Sequence, residues 1–155
     1  MHVAVSERKR AGKALPVAGR YTLTVGVHAA DGDAQHDTRS PRVDLSISEL
    51  ATIHEFGLGA PQRSFIRAWF DEQQDSIQST LKSQVALAQA GKIPIQAALE
   101  RCALAFEGAM KKRIARGIPP PNAASTIARK GSSKPLIDTG QLRNAIRGRV
   151  GQDGQ

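Results

Sequence analysis

The sequence predicts an α+β fold, and three observations carry that prediction. Residues 65–88 repeat apolar side chains every three or four positions, the period of a helix face. Residues 95–114 do the same. Tyr21-Thr22-Leu23-Thr24-Val25-Gly26-Val27 instead alternates and is rich in β-branched side chains, which predicts a strand. Ile146-Arg147-Gly148-Arg149-Val150 reads as a second, closing strand. The 155 residues suit one domain. We divide them into a basic flexible arm (1–20), a single α+β domain (21–150) and a short tail (151–155).

The elements follow in chain order. The first twenty residues are rich in Arg, Lys, Gly and Ala and poor in large apolar side chains, which predicts a mobile arm. Within it only Met1–Val5 has strand character. After the Tyr21–Val27 strand, residues 28–43 predict a long, flexible or binding loop with an acidic turn at Asp31, Asp33 and Asp37. Ser46-Ile47-Ser48-Glu49 is a capping box opening a short helix, and Gly57 stands at its expected left-handed stop.

The first long stretch runs Phe65, Ile66, Trp69, Phe70, Gln73, Ile77, Leu81, Val85, Ala88. It predicts one helix of about 25 residues, roughly 36 Å long. Gly91 ends it and Pro94 opens the next helix, whose apolar face is Ile95, Ala98, Leu99, Cys102, Phe106, Ala109, Met110 and Ile114. The short connection between them predicts two long helices packed antiparallel. Gly117 and the run Pro119-Pro120-Pro121 stop the second. Asn122 is placed to cap one or two turns over 123–128, and 129–135 reads as a flexible basic loop. Asp138, with Gln141 three residues on, is placed to cap a last turn.

Composition excludes several classes. One cysteine, Cys102, leaves no intrachain disulfide and no Cys-rich zinc site. No apolar run approaches the roughly 20 residues of a membrane span. The N-terminal charges follow the apolar residues, the reverse of a secretory signal, so synthesis in the cytoplasm is expected. The formal net charge of +8 calls for an acidic partner. The charge collects in the arm and between Lys111 and Arg149, where no aromatic is interleaved, and this argues against base stacking on single strands.

No catalytic set emerges. Leu136-Ile137-Asp138-Thr139-Gly140 matches the active-site run of aspartic proteases, but only 15 residues follow Gly140, too few for the strands such a fold needs. His54-Glu55 lacks a second His four positions after the first, where Leu58 stands, so it is no zinc-protease motif. Cys102 lies on an apolar helix face and reads as a small core side chain. No metal and no cofactor is expected. The aromatics are more informative: Phe56, Phe65, Trp69 and Phe70 fall within fifteen residues, interleaved with Arg63 and Arg67. Such a cluster serves a core seam, a subunit contact, or both, with Phe65 and Trp69 inward and Phe56 and Arg63 outward.

Two blocks resemble a known family. Ile53-His54-Glu55-Phe56-Gly57 with Pro61-Gln62-Arg63-Ser64-Phe65-Ile66-Arg67 is similar to the "EFG … PxRPFLR" block of tailed-phage virion morphogenesis proteins. Residues 121–131 (PNAASTIARKG) and 135–144 (PLIDTGQLRN) resemble that family's "S-T-I-x-x-K-G … P-L-I-D-T-G-x-L" block. The likeness spans roughly 21–150. Ser64 stands where the family has Pro, Leu58 where it has Thr and Ala145 where it has Ser, and the loop from Gly57 to Pro61 is short.

The resemblance implies a neck protein of tail completion and head–tail joining: a small, mostly antiparallel sheet packed on the long helices, and a homo-oligomeric ring, typically a hexamer. It implies a structural virion protein and not an enzyme. The implied partners are other copies of the chain, a tail tube or tail terminator protein, a head-completion or connector protein, and packaged DNA by non-specific contact. The implied place is the virion neck, after synthesis in the host cytoplasm. The suspected contact residues are Phe56, Gly57, Pro61, Arg63, Phe65 and Arg67 in the first block, and Leu136, Asp138, Thr139, Gly140 and Leu142 in the second. They are expected to lie near subunit contacts or to fix the loops that make them. The alternative function is a basic nucleic-acid-binding accessory protein.

Overall fold

The computed structural model describes residues 2–5, 19–32 and 45–152. Three antiparallel strands form one small sheet in the order β1 (His2–Val5), β2 (Tyr21–Val27), β3 (Ile146–Gln152). The expected strand at Tyr21–Val27 is present, and the closing strand runs two residues past Val150. Leu23 sits opposite Val150 and Val27 opposite Ile146, so one register places apolar residues of both strands over the core. Residues 6–18 of the expected arm, 33–43 of the expected loop and 153–155 of the tail lie outside the described residues. Ala29–Gly32 forms a single helical turn, α1.

The second helix, α2 (Ile47–Phe56), starts as its sequence demands. Ser46 Oγ accepts the Glu49 N–H at 3.2 Å, and the Glu49 carboxylate accepts the Ser46 N–H at 2.8 Å. These bonds hold the Glu49 carboxyl below its usual pKa. Gly57 ends the helix in the left-handed region, at φ 74°. A Cβ there would come within 2.9 Å of Gln62, so only glycine fits the turn.

The single 25-residue helix does not form. The stretch divides into α3 (Arg67–Glu72) and α4 (Gln74–Gln89), with Gln73 at φ −111° between them. Gln73 occupies the row 69–73–77–81, where the other members are apolar; a polar side chain interrupts the stripe that would hold a straight rod on the core. The second long helix, α5 (Ile95–Arg116), is continuous and is the centre of the fold, packed on β3, β2 and α4. Its buried row is Ala98, Leu99, Cys102, Ala103, Phe106, Met110 and Ile114. Trp69 of α3 meets Phe106 of α5 with ring centroids 6.1 Å apart and tilted 58°, a favourable aromatic geometry.

The sheet comes close to α5 at Gly148. A Cβ there would stand 2.3 Å from the Ala103 carbonyl oxygen, so β3 lies on the helix backbone itself. The Gly148 N–H donates to Glu107 Oε2 at 3.0 Å. Burial pushes the Glu107 carboxyl up, but hydrogen bonds from Lys111 and Gly148 and the charges of Lys111 and Arg147 outweigh it and leave it lowered.

Beyond α5 come α6 (Ala124–Lys130) and α7 (Gln141–Asn144). Both expected side-chain caps are absent. The helix after the prolines starts at Ala123 with no side-chain cap, because Asn122 is engaged elsewhere. The last turn starts at Gly140, at φ 83°, without Asp138; Thr139 Oγ1 donates to Gln141 Oε1 at 2.9 Å. Arg129 and Lys130, expected in a loop, complete α6. No helix among the described residues is long and apolar enough to cross a membrane.

Candidate functional site

The end of α2 and the loop after it are tied down by the backbone of that loop. A helix leaves its last carbonyls without intrahelical partners. Here Ile53 O accepts from Gly57 N and Leu58 N, His54 O accepts from Arg63 N at 2.7 Å, and Glu55 O accepts from Gln62 Nε2 at 3.1 Å. The loop therefore folds back onto the helix it leaves.

Glu55 then serves the next helix. Its side chain is buried, 6% exposed. One carboxylate oxygen accepts the Phe65 and Ile66 N–H groups at 2.8 and 3.0 Å. The other accepts Ser64 Oγ at 2.7 Å and the Arg67 N–H at 3.0 Å. Four donors converge on one buried carboxylate, including N–H groups that α3 leaves free at its start. This explains why α3 begins at Arg67 and not at Phe65.

Arg63 crosses to the second block. It is also 6% exposed. Its Nε donates to the Pro120 carbonyl at 2.9 Å; its Nη2 donates to the Pro121 carbonyl at 3.2 Å and to Asn122 Oδ1 at 3.4 Å. Asn122 Nδ2 in turn donates to the Ser133 carbonyl at 3.3 Å. Burial lowers the Arg63 pKa from its usual value. The proline run offers carbonyls but no N–H groups, so a forked donor is its natural complement.

Between the two blocks lies a cavity of about 800 Å³. Leu50, Ile53 and Pro61 line one wall, and Pro121, Leu136 and Leu142 the other. His54, Arg129 and Asp138 add polar groups to the lining. Leu136 is 8% exposed and sits in the left-handed region at φ 60°, which a bulky residue adopts only where its surroundings enforce it.

The suspected contact residues thus fall into groups. Pro61, Asp138, Thr139, Gly140, Leu136 and Leu142 all line the cavity, the last two being buried. Gly57 forms the turn at the end of α2. Phe56 is 59% exposed and Leu58 beside it 57%, so an apolar pair faces solvent. Arg67 is exposed as well. Phe65 is fully buried, as is expected of a core seam. The outward Arg63 of the sequence reading is corrected: the side chain turns inward and donates to the proline carbonyls. Both residues are buried within the single chain and hold the loop from inside.

Sequence reasoning missed the role of Glu55, which was weighed as half of a zinc motif and quoted within the first resembling block but not placed among the suspected contact residues. The signal was present: a carboxylate two residues before Gly57, followed by a short loop and then a second helix start. Among the described residues no group of three or more His, Cys, Asp or Glu gathers as a metal would require. Burial pushes the Cys102 thiol up, away from the reactive thiolate. Comparison with family models, with curated proteins and with solved structures gives no match for this chain.

Proposed function

We propose that this chain is a structural subunit of a tailed-phage neck, assembling as a ring that completes the tail and joins it to the head. One observation carries the reading. The two blocks that resemble the virion morphogenesis family, far apart in sequence, meet at a single cavity and are bridged by Arg63. A loop–loop junction tied in this way holds one fixed shape, as a surface that must meet every neighbour in a ring alike requires. The exposed Phe56–Leu58 pair beside it supplies apolar contact area.

In this reading α3–α4 and α5 form an antiparallel helical layer that stiffens the subunit. The contacts Thr80–Cys102 and Glu72–Arg113 support that direction. The ring, typically a hexamer, meets a tail tube or terminator protein on one side and a head-completion or connector protein on the other. Exposed Arg129 and Lys134 allow non-specific contact with packaged DNA.

Electron microscopy of particles made without this gene product tests the reading. Tailless heads beside free tails are expected. Intact virions at normal yield overturn it.

A further inference from the structure

The outward face of α5 is unfinished within one copy of the chain. Leu104 is 71% exposed, the most exposed large apolar side chain among the described residues. Gly108 follows one turn later. A glycine inside a helix is unfavourable relative to alanine, and here the chain itself gives no reason for it. A Cβ at Gly108 would meet nothing within 4 Å, in contrast to Gly148, where it would strike backbone. Space without a tenant is what a close-packed neighbouring helix requires.

Charge identifies that neighbour. Arg101, Lys112 and Arg116 of α5 are exposed, and none makes an ion pair with a described residue. Asp71 of α3 and Asp75 of α4 are exposed and equally unpaired. Within one copy the Glu72–Arg113 pair alone joins these two ends. The acidic start of α4 and the basic end of α5 are therefore complementary surfaces left open on the same chain.

Their spacing matches. On α4 the exposed row is Asp75, Ser79, Lys82 and Ala86; on α5 exposed Lys112, Leu104 and Arg101 flank half-buried Gly108 in one row. Run antiparallel, the two rows bring Asp75 to Lys112, small Ser79 to Gly108, and the aliphatic stem of Lys82 to Leu104.

We infer that α5 of one copy packs through Leu104 and Gly108 against the α3–α4 face of a second copy, with Asp71 and Asp75 opposite Lys112 and Arg116. Two different faces meet, so the contact is head-to-tail and propagates around a ring. The inference rests on the ring reading above and names the surfaces that close it.

Sedimentation of the full chain tests it. Wild type assembles; Gly108→Leu and Leu104→Asp, which leave the circular dichroism spectrum unchanged, assemble at least tenfold more weakly. D71K/D75K and K112D/R116D each weaken assembly at least tenfold, and an equimolar mixture of the two restores it. Assembly insensitive to these variants, or no rescue in the mixture, overturns the inference and leaves the ring standing. A wild type that stays monomeric at every concentration overturns both. Unchanged assembly with lost binding of duplex DNA in K112D/R116D assigns the basic end to nucleic acid and also overturns it.

Discussion

Arg63 Nε donates to the Pro120 carbonyl at 2.9 Å, a bond that closes 57 positions of chain. The side chain is buried, and its acceptors are two proline carbonyls and Asn122 Oδ1. Arg63→Ala removes the one donor shared by the Pro120 and Pro121 carbonyls and Asn122 Oδ1 and leaves a void in its place. It is expected to cost about 3 kcal/mol, within the range for removing a buried hydrogen-bonded charge. Arg63→Lys keeps the charge but cannot fork, so it recovers only part of that. Urea denaturation of the three proteins checks the order wild type, Lys, Ala.

Glu55 is the other buried charge of the first block. Its four acceptor bonds reach N–H groups and a hydroxyl that water cannot easily replace. Glu55→Gln retains two acceptor positions at most and puts an NH₂ group against N–H donors. A loss of roughly 2–4 kcal/mol is expected, with amide exchange accelerated first at Phe65, Ile66 and Arg67. Equal protection of those three amides in wild type and variant would show that the carboxylate does not order the start of α3.

Exposed Phe56 and Leu58 make the opposite expectation. Phe56→Ser with Leu58→Ser removes apolar area that already faces water, so stability changes by less than about 0.5 kcal/mol. Assembly is expected to fall, because the pair borders the junction of the two blocks. Thermal denaturation and sedimentation read the two effects separately.

Acid should loosen the contact between α5 and β3. Glu107 has a lowered pKa in the folded chain. A lowered carboxyl pKa contributes stability that is fully present above its unfolded value, about 4.3, and is lost as pH falls through the folded value. Glu107→Gln removes the titrating group. The variant is expected to be less stable than wild type at neutral pH and to lose less between about pH 5 and pH 3. Parallel stability curves across that interval would refute the assignment.

The parts of the fold that were legible in the sequence are those fixed by local rules. Ser46 and Glu49 form their box, Gly57 stops α2, Tyr21–Val27 alternates into a strand, and α5 keeps its apolar row from Ala98 to Ile114. What was not legible depends on partners distant in the chain. Gln73 breaks the long helix because of where its row meets the core. Asn122 leaves its capping position because Arg63, 59 positions away, claims it. Asp138 is displaced from its cap by a turn that starts at Gly140. Glu55 and Arg63 were read one at a time, as a motif fragment and as a surface charge. Their roles exist only when the carboxylate meets three consecutive N–H groups and the guanidinium meets the proline carbonyls.

Two helix-contacting glycines separate what this chain needs for its own fold from what it holds open. Gly148→Ala drives a Cβ to 2.3 Å from the Ala103 carbonyl oxygen, and neither backbone can yield without moving β3 off α5. A loss of at least about 2 kcal/mol is expected, in the range of overpacking a core. Gly108→Ala meets open space in an ordinary helical position. It is expected to stabilise the isolated chain by about 0.5–1 kcal/mol, because alanine restricts the unfolded state and favours the helix. Measured by chemical denaturation below the concentration of assembly, the two substitutions should move the midpoint in opposite directions. A destabilising Gly108→Ala would mean that α5 already carries a close neighbour within one copy at that position.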